Sequence, residues 1–122
     1  MLVGFGGFLG TIARFLSHQA MAKFYPVIFP LGTLAINLIG CLLIGVFHSL
    51  IEKYQVPAPE WRLFFTAGFC GGFTTFSAFG LESMILIQHR EYLYLLLYIV
   101  LSVLLGLAAT GLGMWMVKAI HQ

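Results

Sequence analysis

GFCGGFTTFSAFGLE, residues 68–82, is the stretch whose reading decides the fold. Its phenylalanines, Phe69, Phe73, Phe76 and Phe79, make it apolar enough for lipid, yet Gly68, Gly71, Gly72, Gly80, Thr74, Thr75 and Ser77 make it a poor continuous helix. The Gly71-Gly72 pair followed by Thr74, Thr75 and Ser77 predicts an interruption at which i to i−4 hydrogen bonds are lost. Non-helical backbone at membrane depth is tolerated only where it is buried in protein or lines a wet cavity. Carbonyls freed there can bind a cation, while N–H groups and hydroxyls at the restarting helix favour an anion. The interruption therefore reads as a site.

The rest of the chain places that stretch in a membrane. Of 122 residues, 61% are hydrophobic and 8% charged, with a mean hydropathy of +1.00. Soluble domains carry roughly 25% charged residues, so this chain needs a solvent other than water. Crossing a bilayer takes about 20 helical residues, and residues 2–22, 31–51 and 92–117 supply three such stretches. Residues 62–88, containing the interruption, supply a fourth. The expected fold is an all-α membrane protein, a single domain over 1–122, with four transmembrane helices and the third broken near the midplane. The four prolines, Pro26, Pro30, Pro57 and Pro59, fall in the connections or at helix starts, where a missing N–H does no harm. The amino terminus lacks a basic leader region and Arg14 interrupts its apolar run, so it reads as a retained helix.

Orientation is normally set by Lys and Arg in flanking segments. Lys53, Arg62 and Lys118 lie on the side holding both termini, against Lys23 and Arg90 on the other, which is almost no bias. Such a chain is compatible with insertion both ways round and an antiparallel dimer, or with one orientation set by weak signals. Gly6 and Gly10, Gly68 and Gly72, and Ala109 and Gly113 form small-xxx-small pairs suited to close helix packing.

Polar groups at membrane depth are costly and are functional candidates by default. On the second span, Thr33, Asn37, Gly40, Ile44 and His48 share a face. The Asn37 amide can replace part of an ion's hydration or make a helix-to-helix hydrogen bond. Phe76 and Phe79, at i and i+3, project from one side of the restarted helix. Their ring edges carry partial positive charge, which suits a weakly held anion as well as packing. Glu82 and Ser83 follow, and Tyr98 and Ser102, at i and i+4 on the fourth span, can extend a polar track or bond between helices. Arg14 needs a wet vestibule or a carbonyl partner. Cys41 and Cys70 lack ligand spacing and read as buried thiols. His18, His48, His89 and His121 read as interfacial residues near span ends. There is no nucleophile-base pair, phosphate loop or haem motif, so an enzyme is not expected, and a net charge of +2 is too small for nucleic-acid binding.

GGFLGTIARF in the first span, PLGTLAINLIG in the second and GFCGGFTTFSAFGLE in the third together resemble the fluoride channels of the Fluc family, also called CrcB proteins. The resemblance covers essentially the whole chain. It implies a multi-pass protein of a bacterial inner membrane, an antiparallel dual-topology homodimer embedded in the lipid bilayer, with two fluoride pores and a structural sodium ion. It implies Phe76 and Phe79 as ring-edge fluoride ligands, Asn37 as a pore-lining amide, and Thr33, Ser77, Tyr98 and Ser102 as further polar lining. It implies backbone carbonyls of Gly71 and Thr74 as sodium ligands, Arg14 beside a vestibule, and Glu82 as a weaker candidate on the polar track. The family commonly reads TTFSTF where this chain has TTFSAF, so Ala78 lacks a hydroxyl that relatives carry. The rival is a small multidrug or guanidinium exporter driven by protons. It needs a carboxylate in the first span, where this chain has Arg14 and no acid.

Overall fold

A computed structural model describes residues 2–24, 30–55 and 58–120. Pro26, Pro57 and His121 lie outside them. Among the described residues all regular secondary structure is helical, without strands. Helix α1 runs Leu2–Phe24, α2 Leu31–Lys53 and α3 Pro59–Leu63, the last with proline in its first turn. A π-helical segment, Phe64–Cys70, continues α3 into the short α4, Gly71–Phe73. After the interruption come α5, Phe76–Gln88, and α6, Tyr92–Ile120.

Among the described residues, three helical stretches are both long and apolar enough to cross a membrane: Leu31–Lys53, Pro59–Gln88 and Tyr92–Ile120. Helix α1 matches α2 in length, at 23 residues, or about 35 Å at a rise of about 1.5 Å per residue. Arg14, His18 and Gln19 dilute its apolar character. The α5–α6 corner is tight because Arg90 takes a left-handed φ of 57° while Glu91 N donates to Leu86 O at 2.9 Å, closing α5 in a Schellman turn.

The helices pack as two close pairs. Helix α1 lies along the π-helical segment and α4, and α2 lies along α6. Both contacts need residues without a Cβ. A Cβ on Gly6 would stand 2.5 Å from the Phe64 carbonyl oxygen, and one on Gly72 would stand 2.6 Å from that of Gly7. A Cβ on Gly10 would collide with the Phe69 carbonyl. The Gly6/Gly10 and Gly68/Gly72 pairs thus face one another. On the other side Gly113 meets the Leu42 carbonyl and Gly45 meets that of Thr110. In lipid no hydrophobic drive joins two apolar helices, so close backbone contact supplies the attraction. Leu34, Leu86 and Tyr98, with Phe79 against them, tie α2, α5 and α6 together.

The break falls within the expected stretch, at its threonines rather than its glycines. Gly71 is helical at φ −63° and ψ −38°, and Gly72 belongs to α4. The chain leaves the helix at Thr74, with ψ 160°, and Thr75, with φ −152° and ψ 125°. The physical reason is a division of roles. Gly72 serves close approach to α1, while the β-branched threonines favour extended backbone.

Gly10→Ala is expected to destabilise the protein by about 1–3 kcal/mol, since the added methyl meets backbone that cannot swing aside. Gly4→Ala, where nothing lies within 4 Å of the added carbon, should be neutral or slightly stabilising. Thermal unfolding in detergent micelles compares the two.

Candidate functional site

The break is held open by two side chains. Asn37, on α2, grips both sides of Thr75: Thr75 N donates to Asn37 Oδ1 at 3.0 Å, and Asn37 Nδ2 donates to Thr75 O at 3.3 Å. Only one orientation of the amide satisfies both bonds. Each amide atom has two hydrogen-bonding positions, so one N–H and one lone pair remain for another partner. Thr75 then caps α5, its Oγ1 accepting from Ala78 N at 3.2 Å and lying 3.1 Å from Ser77 Oγ. Thr74 turns its hydroxyl back to donate to Cys70 O at 2.8 Å.

These bonds change what the carbonyls before them can do. In an unbroken helix the Gly71 carbonyl would accept from Thr75 N, and the Thr74 carbonyl from Ala78 N. Both donors are diverted, one to Asn37 and the other to the Thr75 hydroxyl. Gly71 and Thr74 therefore carry carbonyls without their helical donors, and both residues line a cavity of about 490 Å³.

That cavity lies between α2, the π-helical segment, the break and α6. Its wall is largely apolar, with Asn37, Thr66, Thr74, Thr75 and Ser102 as polar exceptions and Phe76 and Phe79 at the start of α5. Ser102 Oγ is buried without a hydrogen-bond partner among the described residues. Phe76 is 84% exposed, whereas Thr74 and Thr75 before it are half-buried. Its ring centre lies 5.6 Å from that of Phe79, which lies 4.9 Å from that of Tyr98. The three rings form a continuous line away from the cavity.

The line ends at a carboxylate. Glu82 Oε2 accepts from the Tyr98 hydroxyl at 3.0 Å, and Oε1 accepts from Thr33 Oγ1 at 2.6 Å. Thr33 Oγ1 also lies 3.3 Å from His18 Nε2. Tyr98 and Thr33 are almost wholly buried, so Glu82 is the common acceptor that makes burying their hydroxyls tolerable.

The structure thus brings Asn37, Gly71, Thr74, Phe76, Phe79 and Ser102 to one cavity, and Thr33, Glu82 and Tyr98 to one carboxylate beside it. Ser77 is exposed and outside the cavity wall, bonded instead to the capping Thr75. Arg14 also lies outside that wall, its Nε buried without a hydrogen-bond partner among the described residues. Two features go beyond the sequence reading. Glu82 is the centre of a network rather than a weaker candidate, a role that the cost of a carboxylate at membrane depth foreshadows. His18 is not merely interfacial, because it joins that network from α1. His48 fits the interfacial reading, exposed and paired with Glu52 one turn on at 3.4 Å.

An all-α chain with membrane-length helices, one of them opened at a hydrogen-bonded break beside a polar-dotted cavity, has the build of an integral membrane protein. The chain belongs to the CrcB family: residues 1–114 match the family described as CrcB-like protein, Camphor Resistance (CrcB). It is 42% identical over 116 residues to the fluoride-specific ion channel FluC of Flavobacterium psychrophilum, covering 95% of this chain and 94% of that one. Identity is 45% over 118 residues to the FluC protein of Gloeothece citriformis, covering 97% and 95%. It is again 45% over 118 residues to that of Chlorobium phaeobacteroides, covering 97% and 91%. The resemblance drawn from the motifs of the first three spans is borne out at the level of family.

Thr75→Val keeps the shape of the break but removes the cap, and is expected to cost about 1–2 kcal/mol in stability, with Thr75→Ser costing less. Tyr98→Phe and Glu82→Gln should be non-additive by about 1–2 kcal/mol, as members of one network are. A double-mutant cycle of unfolding in micelles reads this coupling.

Proposed function

We propose that this protein is a fluoride-selective channel that lets fluoride leave the cytoplasm passively, and that it is not an enzyme. The observation that carries the reading is the pair Phe76 and Phe79 at a cavity whose polar side chains, Asn37, Thr66, Thr74, Thr75 and Ser102, are all neutral. Ring edges and neutral donors hold a small anion weakly, so it can leave again, whereas a fixed cation would trap it. The full-length relatives named as fluoride-specific channels support the same cargo. Hydrogen fluoride crosses membranes as a neutral acid and dissociates in a less acidic cytoplasm. A channel returns the anion under the membrane potential, at about 2.3 kcal/mol per charge per 100 mV.

The working unit in this proposal is an antiparallel dual-topology homodimer in a bacterial inner membrane, each chain crossing four times, with two fluoride pores and a structural sodium ion. The weak Lys and Arg bias supports insertion both ways. The 84% exposure of Phe76 supports a partner subunit covering it. Gly71 and Thr74 fit a sodium site because hard cations take oxygen ligands and both residues carry carbonyls released from helical bonding. Sodium held there would brace the break by satisfying those two carbonyls. Asn37, Thr33, Tyr98 and Ser102 would line the route with Phe76 and Phe79, Glu82 would sit at its polar end, and Arg14 beside a vestibule. Ser77 would contribute from the capped turn. Ala78 offers the turn only its backbone N–H, bonded to Thr75.

Liposomes containing the purified protein should release fluoride rapidly and chloride hardly at all, without needing a proton gradient. Equal release of both anions would overturn the reading, and flux that collapses with the proton gradient would favour a proton-coupled exporter. Phe76→Ile and Phe79→Ile should each lower fluoride flux at least about tenfold while leaving the oligomer intact by size exclusion. Replacing sodium by a large organic cation should reduce flux or dissociate the dimer. Unaltered flux and assembly would remove the sodium site.

A further inference from the structure

At one end of the bundle, four helices each contribute one group to a single hydrogen-bonded chain: His18 from α1, Thr33 from α2, Glu82 from α5 and Tyr98 from α6. The direction of the chain follows from counting protons. A threonine hydroxyl has one hydrogen, and the 2.6 Å contact directs that of Thr33 to Glu82, which accepts on both oxygens. The Thr33 oxygen must then accept from His18 Nε2, 3.3 Å away. Nε2 therefore carries the hydrogen at neutrality, and Nδ1 is the nitrogen left to take up another proton. Nδ1 faces Gly32, where an added Cβ would stand only 3.2 Å from it, so the missing side chain leaves that nitrogen room.

Among the described residues, the charged and titratable groups facing this ring from the packed elements are few. Glu82 and Tyr98 reach it through Thr33. On α1 itself Arg14 lies one turn earlier. The π-helical segment and α4, packed against α1, contain Cys70 and no charged residue, and α2 brings only the Thr33 hydroxyl. Glu60 and Arg62 of α3 belong to the other end of α1, where Phe5 stacks on Phe64.

We propose that His18 is a positioning residue for Glu82 and a proton-binding site of the ion path: a proton on Nδ1 sets a positive charge one hydroxyl away from the carboxylate. This rests on the fluoride-channel reading and adds a proton-linked control to it. Without that proton, Glu82 presents negative charge beside the Phe79 and Tyr98 rings and repels an approaching anion. With it, the repulsion is offset and the Thr33 hydroxyl stays oriented towards Glu82. Conduction therefore rises in mildly acidic surroundings, where hydrogen fluoride loads cells fastest.

The test is fluoride efflux from liposomes holding the full-length protein, at fixed fluoride anion concentration, with both faces at the same pH. Wild-type flux should be about threefold greater at about pH 5.5 than at about pH 8. In His18→Gln, which can donate to Thr33 but cannot gain a charge, that ratio should fall to about one. A flat wild-type profile, or an equal rise in His18→Gln, overturns the role of His18. Absence of wild-type fluoride flux at any pH overturns the channel reading with it. Should His18→Gln fail to assemble, nitrogen NMR of the imidazole in the wild-type protein decides: the Nε2–H tautomer is expected at about pH 8, and the Nδ1–H tautomer overturns the proposal.

Discussion

A peptide group left without a hydrogen-bond partner in hydrocarbon costs several kcal/mol, and the structure depends on how this chain meets that constraint at Thr74 and Thr75. Breaking a helix there removes a turn of backbone bonds. Asn37 replaces one of them by accepting from Thr75 N while also donating to the Thr75 carbonyl, and the Thr75 hydroxyl replaces a second by capping Ala78. Since the replacements come from side chains, the Gly71 and Thr74 carbonyls lose their helical donors. The repair of the donor side creates the acceptor side of a site.

That repair requires α2 to stand at a fixed distance from the break, and the glycine contacts set this spacing. Gly40 lies directly against the Thr74 side chain, one turn beyond Asn37. The π-helical segment continues the same logic. Its wider turn lets Gly68 and Gly72 both meet α1, with the Val3 carbonyl oxygen 2.7 Å from a Cβ placed on Gly68. π-helical turns recur at functional sites because they shift everything beyond them around the helix axis. Here the shift precedes the break and helps set the direction in which α5 restarts.

Beyond the break, polar groups are few, and Glu82 and Asn37 each carry a structural duty. Glu82 satisfies two buried hydroxyls while lying one ring from Phe79. Asn37 clamps the backbone and keeps one donor and one acceptor position for the cavity. Such double use follows from the cost of polar atoms in lipid, where a group without a partner is destabilising and a group with every position filled offers nothing to an ion.

Much of this was legible in the sequence because hydropathy, span length and the preferences of Gly, Thr and Pro are local quantities. They determined an all-helical membrane chain, an interruption between residues 68 and 82, glycine pairs for close packing, and Asn37, Phe76 and Phe79 as candidates. The TTFSAF motif also carried the family. What only the tertiary structure decided depends on which distant groups meet. It narrowed the break to Thr74 and Thr75 within that stretch, because helix α1 occupies the face where Gly72 lacks a side chain. It raised Glu82 to the centre of a network and added His18, because a hydrogen bond between residues 33 and 82 leaves no periodicity along the chain. Local pattern reveals which residues are costly to place in lipid, and only packing reveals the partner that offsets each cost.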